Sequence, residues 1–248
     1  MIRKVQPRIL VIAGTDSSGG AGLSRDMAIA TQLGCHVAPV VTAVTVQTNK
    51  ALISVSAVPV DIIEAQICAA RQDAPLAAIK IGMIGSAAAA HAIARCLPSD
   101  VPVVLDPVLK STSGGSLGSR QTLAPLLGRV TLLTPNLSES ATLSGQPASE
   151  DPAALQRQAH ALMGDTVGTG PEAVLIKGGH GTGADSQDHL FSHHGHEVFS
   201  APRFARGKRG TGCTLATAIA CNLAKGMNIS LACATSKGIL TDWLRQPA

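Results

Sequence analysis

The apolar run Ile9-Leu10-Val11-Ile12-Ala13 decides the fold class, together with the glycine-rich segment Gly14-Thr15-Asp16-Ser17-Ser18-Gly19-Gly20-Ala21-Gly22 that follows it and a helical pattern over 22–33. The run predicts a strand buried on both faces, because such strands are continuously apolar and do not alternate with polar residues. A strand, a tight turn and a helix in this order form the first part of a crossover unit. The same order recurs along the chain.

Further strands and helices alternate as far as residue 177. The predicted strands are Val37–Val46, Ala78–Ile81, Val101–Leu105, Val130–Thr134 and Ala173–Lys177, and helices are predicted over 22–33, 60–72, 86–97, 119–127, 137–144 and 151–163. Such alternation predicts an α/β fold with a mostly parallel sheet covered by helices on both faces. After Lys177, His189–Ser192 and Glu197–Ser200 predict a small edge hairpin. Two helices close the chain, the first over Leu215–Ala224 and the last beginning at Asn228 or Ser230.

Composition excludes several classes of protein. The 248 residues show no break in pattern, so we predict one domain over residues 1–248. Charged residues make up 15% and the formal net charge is only +4, with no basic stripe, which argues against a nucleic-acid partner. Aromatic residues make up 2%, too few for base-stacking platforms.

Cysteine usage and hydropathy bear on location. Six cysteines occur without a C-x-x-C pair and without histidines at zinc spacing, which favours a reduced compartment. The run Ile9–Ala13 is too short for a signal peptide, and Val37–Val46 falls well short of the ~20 residues of a membrane helix. We therefore expect a cytoplasmic protein with no membrane partner. His193, His194 and His196 invite a metal site, but we favour solvated residues of the hairpin turn.

Polar residues or glycines follow every predicted strand of the parallel part, where an open sheet binds ligands. They are the loop from Gly14, Gln47, Gly82-Met83, Asp106-Pro107, Asn136-Leu137-Ser138-Glu139 and Lys177-Gly178-Gly179-His180. The first loop lacks the Lys-Ser/Thr ending of a P-loop and the spacing of a dinucleotide fingerprint. Asn136 and Glu139 have the spacing of a capping box, but the same pair can orient hydrated Mg²⁺ beside phosphates. Both interpretations stay open.

The run Arg209-Gly210-Thr211-Gly212-Cys213-Thr214 leads into an alanine-rich helix. Free N–H groups at a helix start, together with the helix dipole, can hold a phosphate or an oxyanion. A thiol there is expected to ionise more easily than a free one. The alternative is a glycine-rich helix start with an ordinary buried cysteine.

Taken together, these segments resemble the hydroxymethylpyrimidine and phosphomethylpyrimidine kinases of thiamine biosynthesis, members of the ribokinase-like superfamily. The resemblance covers nearly the whole chain. It rests on the loop from Gly14 to Gly22, Thr42-Ala43-Val44-Thr45-Val46-Gln47, Ile79-Lys80-Ile81-Gly82-Met83, Leu105-Asp106-Pro107-Val108, Thr134-Pro135-Asn136-Leu137-Ser138-Glu139, Lys177-Gly178-Gly179-His180 and Gly210-Thr211-Gly212-Cys213-Thr214. It implies a three-layer α/β/α sandwich and an ATP-dependent kinase with Mg²⁺. A homodimer is the superfamily expectation.

The resemblance also implies a role for each site residue. Cys213 would be the catalytic base, beside the anion hole formed by Gly210 and Gly212. Lys177, Asn136 and Thr211 would meet ATP. Glu139 and Asp106 would organise the metal, directly or through water. The pyrimidine pocket would comprise Gly14, Ala21, Asp26, Gln47, Met83 and Val108.

The chain departs from the family pattern in three places. Lys208-Arg209 replaces Thr-His, Ser24-Arg25 replaces Gln-Ala, and the lid-like segment Leu109-Lys110-Ser111-Thr112-Ser113-Gly114 differs from the usual sequence. These differences concern the choice of substrate and the efficiency of the two phosphorylations. Alternatives are a pyridoxal or pyridoxine kinase, a non-catalytic binding protein of the same fold, and a cysteine hydrolase, for which no His–Asp partner set is identifiable.

Overall fold

A computed structural model describes residues 6–109, 118–164, 169–204 and 207–246. Most of the lid-like segment over 109–114 therefore lies outside the described residues. Ten strands are assigned within the described ranges: β1 (Arg8–Ala13), β2 (His36–Val41), β3 (Ala43–Gln47), β4 (Leu52–Ala57), β5 (Ala78–Ile81), β6 (Val103–Leu105), β7 (Leu132–Leu133), β8 (Ala173–Ile176), β9 (Asp185–Ser192) and β10 (Gly195–Pro202).

The central sheet has the strand order β10-β9-β8-β7-β6-β5-β1-β2. From β2 across to β8 all neighbouring strands pair in parallel, and β9 and β10 add an antiparallel edge. The predicted mostly parallel sheet and its edge hairpin are therefore confirmed. Because the parallel strands share a direction, their carboxyl ends meet at one edge of the sheet.

Helices cover both faces of this sheet. The helices are α1 (Gly22–Gln32), α2 (Val60–Asp73), α3 (Ala87–Cys96), α4 (Arg120–Leu127), α5 (Leu137–Ser144), α6 (Pro152–Met163), α7 (Thr211–Ala224) and α8 (Ile229–Arg245). Residues of α1, α7 and α8 form one apolar core with one face of the sheet, and residues of α2 to α6 form a second core with the other. Three layers result, as predicted.

Strand β1 illustrates why the sheet sits between two cores. Ile9 and Val11 belong to one core, Leu10 and Ile12 belong to the other, and all four are fully buried. Because successive strand side chains point to opposite faces, only a continuous apolar run can satisfy both cores. The prediction made from this run is confirmed.

The predicted single strand Val37–Val46 is wrong, because the chain leaves the central sheet after Val41. Thr42 makes the break: its hydroxyl donates to the Met83 carbonyl over 2.6 Å, and its carbonyl accepts from the Val58 N–H. Strand β3 then pairs antiparallel with β4, which sequence analysis did not predict. We call β3 and β4 the small sheet; it reaches out beside the carboxyl ends of the parallel strands.

The edge hairpin carries the clustered histidines. His193, His194 and His196 are all exposed. His196 also stacks on Phe191 with ring centroids 4.3 Å apart and lies 3.0 Å from His189 through ring nitrogens. The described ranges contain no group of three or more His, Cys, Asp or Glu side chains that could hold a metal ion. No helix in the described part of the chain is both long and apolar enough to cross a membrane.

Candidate active site

A cleft of about 980 Å³ lies at the carboxyl ends of the parallel strands and the start of α7. This volume lies at the upper end of the range for small-molecule sites. The cleft brings together all but one of the predicted site residues. Those that line it are Gly14, Ala21, Gln47, Met83, Asp106, Val108, Asn136, Glu139, Lys177, Gly210, Thr211, Gly212 and Cys213.

Asp26 is the exception, and its predicted contact with the substrate is corrected. It lies in α1 with no exposed surface and does not line the cleft. One carboxylate oxygen accepts from Lys80 Nζ at 2.7 Å and the other from Thr217 Oγ1 at 2.8 Å. Both oxygens are engaged by protein donors, so Asp26 acts on the site through Lys80, which lines the cleft.

Lys80 is a site residue that sequence analysis missed. It lies in β5 and lines the cleft although its side chain is fully buried. Burial alone would lower the pKa of Lys80, but Asp26, Cys213 and Asp106 outweigh it and raise the pKa, so the amine stays charged. A lysine inside a four-residue apolar strand is costly unless paired. A lysine within a predicted apolar strand was therefore a sign of a functional or paired charge at Lys80, as it was at Lys177.

Helix α7 starts four residues earlier than predicted, directly after Gly210. Gly210 is its N-cap with a positive φ of 77°, and a side chain there would collide with the Gly20 carbonyl. At Gly212 a Cβ atom would lie 3.2 Å from Asp106 Oδ2 and 3.4 Å from Lys177 Nζ. The first N–H groups of a helix have no intrahelical partner, so they are available to an anion at this point of the cleft.

Cys213 lies in the first turn of α7 and keeps partial exposure at the cleft. Burial nevertheless raises the pKa of its thiol to about 11; the charge of Lys80 and a hydrogen bond from Gly22 oppose the rise, while Asp26 and Asp106 add to it. The expectation of easier ionisation is therefore wrong. Desolvation and two carboxylates outweigh the helix start.

Lys177 and Asp106 form an ion pair at the centre of the cleft. Lys177 Nζ lies 2.8 Å from Asp106 Oδ1, and the two side chains are 13% and 5% exposed. Burial would lower the pKa of Lys177, but Asp106 and Glu139 reverse this and raise it. The lysine therefore stays charged at neutral pH, next to Asp106 and beside Gly212.

Asn136 and Glu139 form the capping box at the start of α5. Asn136 Oδ1 accepts from the Glu139 N–H at 2.9 Å, and Glu139 Oε2 accepts from the Asn136 N–H at 2.8 Å. Burial raises the pKa of Glu139, and the negative charge of Asp106 raises it further. Lys177 and backbone hydrogen bonds from Asn136 and Leu109 act in the opposite direction but do not cancel the rise. The cap is present, and its carboxylate also lines the cleft.

The other end of the cleft is formed by the first loop and the small sheet. The Thr15 N–H donates to Ala43, Thr45 Oγ1 donates to Thr15, and Ser17 Oγ donates to the Gln47 carbonyl. Sequence analysis placed Gln47 here but gave no indication of these links. They hold Gln47 beside the glycine-rich loop.

Arg203 and Arg209 also line the cleft and were not predicted as site residues. Arg203 donates to five backbone carbonyls between Gly178 and Asp185 and so fixes the loop after Lys177. No motif in the sequence signals this role. Arg209 bridges the start of α7 and the small sheet.

Comparison of the sequence with known proteins identifies one family. A family model described as phosphomethylpyrimidine kinase matches residues 16–248. A hydroxymethylpyrimidine/phosphomethylpyrimidine kinase of Rhizobium meliloti is 38% identical over 237 residues, covering 93% of this chain and 88% of that protein. The crystal structure of phosphomethylpyrimidine kinase from Clostridium difficile 630 is 31% identical with a TM-score of 0.81, covering 97% of this chain and 100% of that one.

A second group of solved structures is also similar. The pyridoxal kinase from Staphylococcus aureus in complex with AMP-PCP and pyridoxal is 26% identical with a TM-score of 0.84, covering 95% of this chain and 87% of that chain. That structure contains AMP-PCP and pyridoxal together.

Proposed function

The chain belongs to the phosphomethylpyrimidine kinase family, and from that premise we propose that it phosphorylates 4-amino-5-hydroxymethyl-2-methylpyrimidine and then its monophosphate in thiamine biosynthesis, with ATP as donor. The observation that carries this proposal is one juxtaposition. The start of α7, the Cys213 thiol and the Lys177–Asp106 pair face one cleft. An anion hole, a base and a cation are the parts that phosphoryl transfer needs.

The phosphates of ATP would lie at the end of the cleft near α7. The N–H groups of the Gly210–Gly212 turn and the ammonium of Lys177 supply positive charge there, and Asn136 and Thr211 add polar contacts. Transfer spreads negative charge over the γ-phosphate oxygens, so groups that are fixed in advance stabilise the transition state without reorganising. Arg203 supports this end by holding the loop after Lys177.

Cys213 would act as the general base of the first phosphorylation. The hydroxymethyl oxygen forms a bond to the γ-phosphorus, the bond from that phosphorus to the β-bridging oxygen breaks, and ADP leaves with its electron pair. The hydroxyl proton passes to the sulfur of Cys213 in its thiolate form, which leaves the neutral thiol. In the second phosphorylation the nucleophile is a phosphate oxygen, which is already ionised near neutral pH and has no such proton to lose.

Mg²⁺ would be held mainly by the phosphates, since the described ranges hold no group of three metal-binding side chains. Asp106 and Glu139 fit this arrangement because both are carboxylates at the cleft wall near Lys177. When bound, the ion would neutralise charge on the phosphates. Asp106 and Glu139 would orient its water ligands.

Replacing Glu139 with Gln separates the cap from the metal role. Glutamine caps as well as glutamate, so we expect an unchanged melting temperature. Loss of the negative charge is expected to lower kcat and to raise the Mg²⁺ concentration needed for half-maximal rate, measured by titrating Mg²⁺ against initial rate. Superimposable titration curves for the two proteins would return Glu139 to a capping role alone.

Replacing Gln47 with Leu tests the substrate end of the cleft. Leucine keeps the approximate volume but leaves the polar edge of the ring unpaired, which costs about 1–3 kcal/mol. We expect KM for the pyrimidine to rise by about five- to a hundredfold while KM for ATP stays constant. A rise in KM for ATP with an unchanged KM for the pyrimidine would mean that the two ends are exchanged.

Domain organisation, location and oligomeric state are proposed from separate observations. We propose one domain over residues 1–248, supported by a sheet whose strands come from both halves of the chain. A cytoplasmic location is supported by six cysteines that are all free thiols. A homodimer is supported by Val44 and Val46, each 49% exposed on the small sheet. Sedimentation at twice the chain mass of 25.2 kDa would support the dimer, and sedimentation at that mass would refute it.

The proposed reaction itself is tested by product formation. Incubation with ATP and hydroxymethylpyrimidine is expected to give ADP and a phosphomonoester, followed by a diphosphate, all resolved by phosphorus NMR. A pyridoxal kinase is the second candidate, because the Staphylococcus aureus pyridoxal kinase shares the fold at a TM-score of 0.84. Release of ADP without any phosphorylated pyrimidine would count against the proposal.

A further inference from the structure

Arg209 joins three parts of the cleft that are distant in sequence. Its Nη1 donates to Ser18 Oγ at 2.8 Å, to the Thr48 carbonyl at 2.9 Å and to Asn49 Oδ1 at 3.3 Å. Its Nη2 lies 3.2 Å from Asp16 Oδ2 and 3.3 Å from Gln47 Oε1. The side chain is 15% exposed. One guanidinium thus connects the start of α7, the glycine-rich loop and the tip of the small sheet.

The position of the guanidinium is set by more than its contact with Gln47. Asp16 is 1% exposed in its side chain and accepts from the Ser18 and Ala21 N–H groups, each at 2.8 Å. That carboxylate is rigidly held, so the arginine bound to it is held as well. Nη1, the other terminal nitrogen, contacts three further acceptors, so the plane of the guanidinium is fixed as well.

This arrangement decides which way the Gln47 amide faces. A guanidinium can only donate hydrogen bonds, so an amide beside it must turn its oxygen toward it and its NH₂ group away. Gln47 Oε1 is the atom that Arg209 contacts, and Nε2 has no partner among the described residues. Since Gln47 lines the cleft, the group it has left for a ligand is a donor.

We infer that Arg209 is a specificity-determining positioning residue, which fixes the Gln47 amide so that its NH₂ group meets an acceptor on the substrate ring. The inference rests on the proposed function, because it assumes that the pyrimidine lies against Gln47. The acceptor would be an unprotonated ring nitrogen, as an aminopyrimidine provides. In a ring that presents N–H at the same place, that N–H and the Gln47 NH₂ group would be two donors pointing at each other, with no acceptor between them.

The test compares two ligands that differ in this respect. One is hydroxymethylpyrimidine, and the other is its 4-oxo analogue, in which the ring nitrogen next to the oxo-bearing carbon carries a hydrogen. Dissociation constants are measured by calorimetry for the wild type, Arg209→Met, Arg209→Lys and the remote control Arg95→Met, whose arginine pairs with Glu64 outside the cleft. The quantity of interest is the ratio of the two constants.

We expect the wild type to prefer the amino compound by about tenfold or more, the penalty for an unpaired buried donor. Arg209→Met frees the amide to turn, so the preference is expected to fall about tenfold, mainly through tighter binding of the 4-oxo analogue. Lysine is also a donor only, so Arg209→Lys is expected to retain most of the preference, and Arg95→Met all of it. An unchanged ratio in Arg209→Met overturns the inference.

A second variant keeps the inference testable if Arg209→Met does not fold. Gln47→Glu leaves Arg209 in place and removes the donor, so affinity for hydroxymethylpyrimidine is expected to fall at least tenfold. Unchanged affinity would overturn the inference. The calorimetric ratio and turnover report on different claims. A binding preference that falls in Arg209→Met, in a protein that does not phosphorylate the pyrimidine, would contradict the proposed function and support the role of Arg209.

Discussion

Cys213→Ala is expected to lower kcat for hydroxymethylpyrimidine by about two to four orders of magnitude, the usual range for removal of a general base. The thiol lies in the first turn of α7 beside the Lys177–Asp106 pair, and a methyl group in its place cannot accept a proton. Steady-state rates with saturating ATP measure the effect. Cys213→Ser is expected to be nearly as impaired, because a hydroxyl is a far weaker base.

The second substrate provides an internal control for this variant. Its phosphate oxygen is ionised before it reacts, so the monophosphate is expected to lose much less rate than the hydroxymethyl compound. Cys68→Ala is a matched control at an exposed cysteine of α2, outside the cleft, and should behave as the wild type. Equal losses with both substrates would mean that Cys213 positions ligands and does not accept the proton.

The raised pKa of Cys213 gives the same experiment a pH dependence. A base with a pKa of about 11 is mostly protonated at neutral pH, and its active thiolate form increases as pH rises toward that value. For the wild type, kcat/KM with the hydroxymethyl substrate should therefore rise by up to tenfold per pH unit above pH 7. In Cys213→Ala this rise should be absent.

Lys177→Met is expected to damage both stability and catalysis. Removing the cation leaves Asp106 unpaired at 5% exposure, and breaking a buried ion pair costs about 3–5 kcal/mol, discounted somewhat here because Lys177 is 13% exposed. Loss of a fixed positive charge at the phosphates is expected to lower kcat by about a hundred- to a thousandfold. Denaturant unfolding and steady-state rates measure the two effects.

The double variant Lys177→Met/Asp106→Leu separates these effects. The two apolar side chains remove both members of the ion pair, so the buried Asp106 carboxylate is no longer left without its partner and most of the lost stability should return. Activity should remain low, because the cation is still missing. If the double variant recovered both stability and kcat, Lys177 would serve only to neutralise Asp106.

Sequence patterns could predict those features that depend on the chain locally. The buried run at Ile9–Ala13 and the capping box at Asn136 and Glu139 each follow from neighbouring residues, and the structure has both. The glycine-rich run before Leu215 indicated a nearby helix start, although α7 begins at Thr211. The two-sided apolar strands required a sheet covered on both faces. Polar residues after the strands then had to converge at one edge.

What could not be predicted depends on contacts between distant segments. Burial raises the pKa of Cys213, and Lys80 of β5, Asp26 of α1 and Asp106 at the end of β6 modify it further. Asp26 was assigned to the substrate pocket because nothing in the sequence indicated that Lys80 and Thr217 would occupy its oxygens. Arg209 acts on Gln47 across 162 positions of the chain.

The most direct measurement of the central claim compares three substrates side by side under one set of conditions. Values of kcat/KM for hydroxymethylpyrimidine, its monophosphate and pyridoxal are determined with ATP and Mg²⁺ by following ADP release and product mass. The account predicts phosphorylation of both pyrimidines with pyridoxal clearly disfavoured. A higher kcat/KM for pyridoxal than for hydroxymethylpyrimidine, or no phosphorylated pyrimidine at all, would contradict it.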